Sequence, residues 1–152
     1  DTVDGQYHSK RHNLILRLGY AQFIAVAPGH PLFADGNNGR YQHILAVCDY
    51  IDRHLDEELT LKQLADTAGL SPNYFSHVFK ELNGVSLWDY VTAKRIEKAV
   101  HLIRTSDRSK TVLDIALICG FNNTVNFNKA FKKHKGVSPK DYRASAKTKR
   151  SN

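Results

Sequence analysis

Three sets of side chains in this sequence have types and spacings that could do chemistry. Asn73, Ser76, His77 and Lys80, within SPNYFSHVFKELN, fall on one face at helical spacing, opposite Phe75 and Phe79. Asparagine can pair bidentately with an adenine edge, serine can donate or accept, and lysine neutralises phosphate. Neutral imidazole offers one donor at most, so reading through His77 is expected to be weak or pH-dependent. The second set is Lys132, Lys133, Lys135, Lys140 and Arg143, a basic series suited to a polyanion backbone. The third is His8 and His12, four apart and so on one helix face, but no third metal ligand lies nearby. No Gly-rich phosphate loop, paired-carboxylate cluster or nucleophile elbow is present. Neither catalysis, a metal nor a cofactor is therefore expected.

The 152 residues suit one compact domain or two very small ones. With 41% hydrophobic and 24% charged residues, a folded globular chain is expected and wholesale disorder is not. No apolar run reaches the 18 residues or so of a membrane span, and the N-terminus has no signal-like segment. Two cysteines, Cys48 and Cys119, are too few for a disulfide framework, so a cytoplasmic setting is the default. The absence of methionine predicts a piece of a longer protein. The formal net charge of +7 is unevenly placed: residues 1–106 carry −1 and residues 107–152 carry +8. A block so basic points to nucleic acid or an acidic membrane surface.

The elements that must position these groups read as helices, and nothing from Tyr41 onward alternates with period two. HNLILRLGYAQFIAVA, between Tyr7 and Ala27, reads as an amphipathic helix, and PGHPLFADGNNG as a linker. Ile44, Leu45, Val47, Cys48, Ile51 and Leu55 form an apolar stripe on the next helix. Thr60 to Gln63 predicts a capping box, and Gly69 the end of that short helix. Ser71-Pro72 opens another that stops at Gly84, and Ser86 caps a long one running to about Thr105. The expected fold is all-α.

Self-comparison reveals a repeat. LKQLADTAGL at 61–70 matches VLDIALICGF at 112–121, offset by 51, and FSHVFKELNGVSLWDY at 75–90 matches FNKAFKKHKGVSPKDY at 127–142, offset by 52. The extra residue falls between the shared glycine and the shared phenylalanine. Each copy is helix, glycine-containing turn, helix, the helix-turn-helix pattern. Leu64, Ala65 and Leu70 are expected to pack on Phe75 and Phe79, as Ile115, Ala116 and Phe121 do on Phe127 and Phe131. Trp88, Tyr90 and Tyr142 read as packing aromatics. The long helix between the copies would span roughly 30 Å, close to the roughly 34 Å between adjacent major grooves on one face of B-DNA.

Residues 41–143 resemble the DNA-binding domain of the AraC/XylS family of bacterial transcription regulators. The resemblance is carried by Ile115-Ala116, Cys119-Gly120-Phe121, Phe127, Phe131-Lys132-Lys133, Gly136-Val137-Ser138-Pro139 and Tyr142-Arg143, by LADTAGLSPNYFSHVFKELNG in the first copy, and by Arg95 and Ala99. It implies a homeodomain-like tandem: a first subdomain over about 41–85, a linker helix over about 86–106 and a second subdomain over about 107–145, then a basic tail at 146–152. Residues 1–40 are then the remnant of a sensor or dimerisation domain. The implied activity is sequence-specific DNA binding, usually for activation. The partners expected are double-stranded promoter DNA and RNA polymerase, with any homodimer contact made outside 41–145 and no membrane.

By the same resemblance Asn73, Ser76 and His77 face base edges and Lys80 lies near phosphate. On the second recognition helix the matching positions are Thr124, Val125, Asn126, Asn128 and Lys129. Val125 could meet a thymine methyl, Asn126 an adenine, and Lys129 a guanine or phosphate. Asn128, Lys132, Lys133, Lys135, Lys140 and Arg143 are expected on the DNA backbone, and helix ends near Thr60, Thr111 and Ser138 could also hold phosphate. Arg95 on the joining helix could form an internal salt bridge or reach phosphate, and the structural role is favoured. A different class remains open, a helical protein-interaction module using the apolar 14–26 helix, but the basic last third and exposed Asn, Ser and Lys faces favour DNA.

Overall fold

Local rules write most of the backbone. The computed structural model describes residues 38–106 and 109–150, and every regular element among them is a helix. These are α1 (Asn38–Arg53), α2 (Leu61–Ala68), α3 (Pro72–Asn83), α4 (Leu87–Thr105), α5 (Val112–Ile118), α6 (Thr124–Lys135) and α7 (Pro139–Arg150). The expected helix at 14–26, the linker after it and the His8/His12 pair lie outside the described residues. None of the seven helices is long and apolar enough to cross a membrane.

The chain divides into two compact units. One comprises the described residues up to His54 with Leu59–Tyr90; the other comprises Leu55–Glu58 with the residues from Val91 on. In the first, α1 buries Ile44, Val47, Cys48 and Ile51, and α2 and α3 bury Leu64, Ala65, Phe75 and Phe79. In the second, Ile96, Ala99 and Ile103 of α4 meet Ile115 and Ala116 of α5 and Phe127 and Phe131 of α6. Each fully buried aromatic or aliphatic side chain contributes about 1.5–3 kcal/mol by leaving water.

The repeat holds down to ring geometry. Phe75 and Phe79 lie 5.8 Å apart at 55°, and Phe127 and Phe131 lie 5.7 Å apart at 57°. Tyr90 meets Phe79 edge-on at 5.4 Å, as Tyr142 meets Phe131 at 5.5 Å. Such edge-to-face pairs add about 0.5–1.5 kcal/mol beyond area burial. Ala65 and Ala116 are both fully buried, and only a side chain this small lets two short helices cross closely. Trp88 departs from expectation: it is 45% exposed, because Leu87, Tyr90 and Val91 take the buried side of that turn. Leu70 and Phe121 are half-buried, and Phe121 meets Phe127 edge-on at 5.2 Å, as expected.

The caps explain where the helices start and where the repeat differs. Thr60 accepts the Gln63 amide at 3.2 Å, but the Gln63 side chain donates to the Tyr50 hydroxyl at 2.9 Å instead of reaching back. The expected box is therefore half formed. The second copy completes it: Thr111 Oγ1 accepts the Asp114 amide and Asp114 accepts the Thr111 amide at 2.8 Å. Those bonds, with nearby Lys110, hold the Asp114 carboxyl below its usual range. Its stabilising effect is complete above the ordinary carboxylate range and fades as pH falls through the lowered value. Thr111→Ala should cost about 1 kcal/mol in thermal unfolding, and Asp114→Asn should flatten the acid side of the stability profile. An unchanged melting temperature for Thr111→Ala would show that the cap contributes nothing.

After α2 and α5 the chain turns identically at first. Leu70 and Phe121 donate to Ala65 and Ala116 respectively, both at 3.0 Å, with Gly69 and Gly120 in the left-handed region. The next caps are Ser71 and Asn123. Counting from each cap to Phe75 and Phe127 gives the same spacing, so the additional residue is in the turn, at Asn122, and the recognition helices keep one register.

Candidate nucleic-acid interface

Helix α3 turns Phe75, Val78, Phe79 and Leu82 inward, which leaves Asn73, His77 and Lys80 exposed and Ser76 half-buried beside them. Helix α6 turns Phe127 and Phe131 inward. In the common register Val125, Asn128, Lys129 and Lys132 occupy the positions of Asn73, Ser76, His77 and Lys80. All four are exposed, Val125 by 63%. Thr124, the first residue of α6, is half-buried, and Asn126 stands on the flank that Tyr74 holds in α3. Asn128 shares the exposed stripe with Val125 and Lys129.

Exposed Lys132, Lys133 and Lys135 crowd the last turn of α6, where cations also complement the negative helix end. Lys140 and half-buried Arg143 follow on α7. That helix continues to Arg150, so residues 146–150, expected as a tail, form its last turns. Exposed Lys147 extends the Lys140–Arg143 stripe at three- and four-residue spacing. The spacing alone could have revealed it; reading the end as an unstructured tail concealed it.

The helix ends suit phosphate less evenly than expected. Asp114 and Asp141 place negative charge in the first turns of α5 and α7, and their amides already bond to Thr111 and Ser138. A carboxylate already in the first turn offsets part of what a further anion gains at a helix N-terminus. Helix α2 carries no acidic residue in its first turn.

Within the second unit, Arg95 is structural. Its Nε donates to the Leu55 carbonyl at 3.0 Å and its Nη2 to the Glu57 carbonyl at 3.0 Å. Burial pulls its guanidinium below the ordinary value, a cost that those two carbonyls offset. Burial also pushes the Cys119 thiol up to about 11, against the opposing charges of Lys98 and Arg95. It stays a neutral core thiol, a weak nucleophile at physiological pH. Among the described residues no group of three or more His, Cys, Asp or Glu could hold a metal.

Two helix-turn-helix motifs, each with a polar recognition face, define a tandem DNA-binding fold. A family model described as a helix-turn-helix domain matches residues 64–145. The chain belongs to that family, the AraC-type DNA-binding domains of transcription regulators. It is 32% identical over 108 residues to the melibiose operon regulatory protein of Escherichia coli strain K12, covering 71% of this chain and 35% of that one. It is 31% identical over 100 residues to a probable transcriptional regulator, LumQ, of Photobacterium leiognathi, covering 66% and 40%. The chain thus spans no more than two-fifths of either curated relative. Among solved structures it is similar to the DNA-binding domain of the global transcriptional factor AdpA in complex with a target DNA. That match has TM-score 0.68 and 29% identity, covering 72% of this chain and 97% of that one.

Proposed function

We propose that this chain is the sequence-reading part of a transcription activator that acts in the cytoplasm, setting α3 and α6 into consecutive major grooves of one promoter site. The observation that carries the reading is the paired register of α3 and α6. Each presents one exposed face of base- and phosphate-competent side chains over two buried phenylalanines. Helix α4, with 19 residues, is about 28 Å long, close to the advance of one duplex turn. Asn73, Ser76, His77, Thr124, Val125, Asn126 and Lys129 read bases. Lys80, Asn128, Lys132, Lys133, Lys135, Lys140 and Arg143 hold phosphates. Regulation then works by binding rather than catalysis, with RNA polymerase as the downstream partner and any dimer contact outside 41–145.

Selection of bound fragments from a genomic library, with the purified chain, tests this directly and yields the site. An asymmetric site with two clusters of preferred bases about one helical turn apart is expected. Binding with no enrichment would point instead to a protein-interaction module. Within the selected site, Lys129→Ala should flatten preference at one position by roughly 1–3 kcal/mol. If every base-pair preference survives, Lys129 is not a reader.

A further inference from the structure

The two recognition helices share a register but not a charge. Helix α6 carries Lys129, Lys132, Lys133 and Lys135, a formal +4 with no acid. Helix α3 carries Lys80 and Glu81, a formal zero with His77 neutral. The difference is sharpest at one matched pair: exposed Glu81 stands where exposed Lys133 stands in the second copy, each four residues after His77 or Lys129 and three residues before Gly84 or Gly136. Glu81 also lies one turn beyond His77, its carboxylate 3.6 Å from His77 Nε2, with both side chains well exposed.

We propose that Glu81 is a specificity-determining residue that withholds sequence-independent affinity from the first recognition helix. The inference rests on the DNA-reading function proposed above. A carboxylate only accepts hydrogen bonds. Against phosphate oxygens, guanine O6 and N7, or thymine O4 it meets acceptor with acceptor and is repelled. Only the exocyclic amino group of cytosine or adenine can satisfy it in the major groove. Glu81 therefore penalises every duplex that lacks such a group opposite it, and discrimination is built from that penalty as much as from attraction. The second unit, rich in lysine, supplies the affinity, and the first refuses sites that do not fit.

The test is a gain of binding. Glu81→Lys installs the residue that the second copy carries, and Glu81→Gln removes the charge while keeping the shape. Each full-length variant is titrated with the selected site and with a random duplex of equal length across a salt series. One added phosphate contact steepens the salt slope by about 0.9, which near 0.15 M salt is roughly fivefold in affinity. For Glu81→Lys the random duplex should gain at least that factor, the selected site should gain less, and the ratio between them should fall. Glu81→Gln should raise random-duplex binding without steepening the slope. Unchanged slope and unchanged ratio in Glu81→Lys overturn the proposal while the DNA-reading function stands. Failure of the unsubstituted chain to bind any selected duplex removes that function and this proposal together.

Discussion

Gly120→Ala should unfold the second unit at a temperature on the order of 10–20 °C below the unsubstituted chain. Gly120 sits at φ +94, where an L side chain is strained by about 1–3 kcal/mol. Space is the larger obstacle. A Cβ there would lie 2.0 Å from the Leu55 carbonyl oxygen and 2.8 Å from Arg95 Nε. That carbonyl cannot step aside, because the Arg95 guanidinium holds it at 3.0 Å. Arg95 grips the Glu57 carbonyl as well, so the Leu55–Glu58 segment is pinned between Arg95 and Gly120 within the second unit. Gly69→Ala is the matched control: its φ is +69, but nothing lies within 4 Å of the added carbon. It should cost only the backbone term, about 1–2 kcal/mol. Thermal unfolding of both variants by circular dichroism decides the matter. Equal losses would mean that glycine serves the backbone angle at both sites and that the pinned carbonyl is irrelevant.

Replacing Lys129, Lys132, Lys133 and Lys135 together by glutamine should lower the slope of log affinity against log salt by about 3–4 units. Near 0.15 M salt that amounts to a loss of two to three orders of magnitude on any duplex. All four side chains are exposed, so none is part of the core. Three of them stand in the last turn of α6, where loss of cations weakens the helix by about 0.3–1 kcal/mol each. A melt of the quadruple variant separates that loss from the loss of binding. Lys80→Gln on α3 should move the slope by about one unit only, since Lys80 is the single cation on that helix. A quadruple variant that keeps its slope would place the duplex on another surface.

Much of this was legible in the sequence because its physics is local. The Ser71-Pro72 start and Gly84 end of α3 depend on backbone groups within a few residues, and the structure places both there. The fourfold spacing of Phe75 and Phe79, and of Phe127 and Phe131, assigns a buried face without reference to anything distant. Thr60 as the α2 cap was equally visible, but the fate of Gln63 was not, since the Tyr50 hydroxyl that draws it away lies thirteen residues upstream. Trp88 shows the opposite failure. Residue type argued for burial, whereas the rotational setting of α4, established by Leu87, Tyr90 and Val91, turns it outward.

Sequence by itself determined the all-α class, the tandem motif, the register of the reading faces and the basic bias of the last third, because periodicity, caps and charge are carried by near neighbours in the chain. Tertiary structure alone decided that Leu55–Glu58 packs with the second unit, that Arg95 holds its carbonyls rather than phosphate, and that Gly120 differs from Gly69. Those outcomes turn on groups some 40 to 65 residues apart meeting at van der Waals distance. No local pattern encodes such a meeting; it exists only once the core has closed around it.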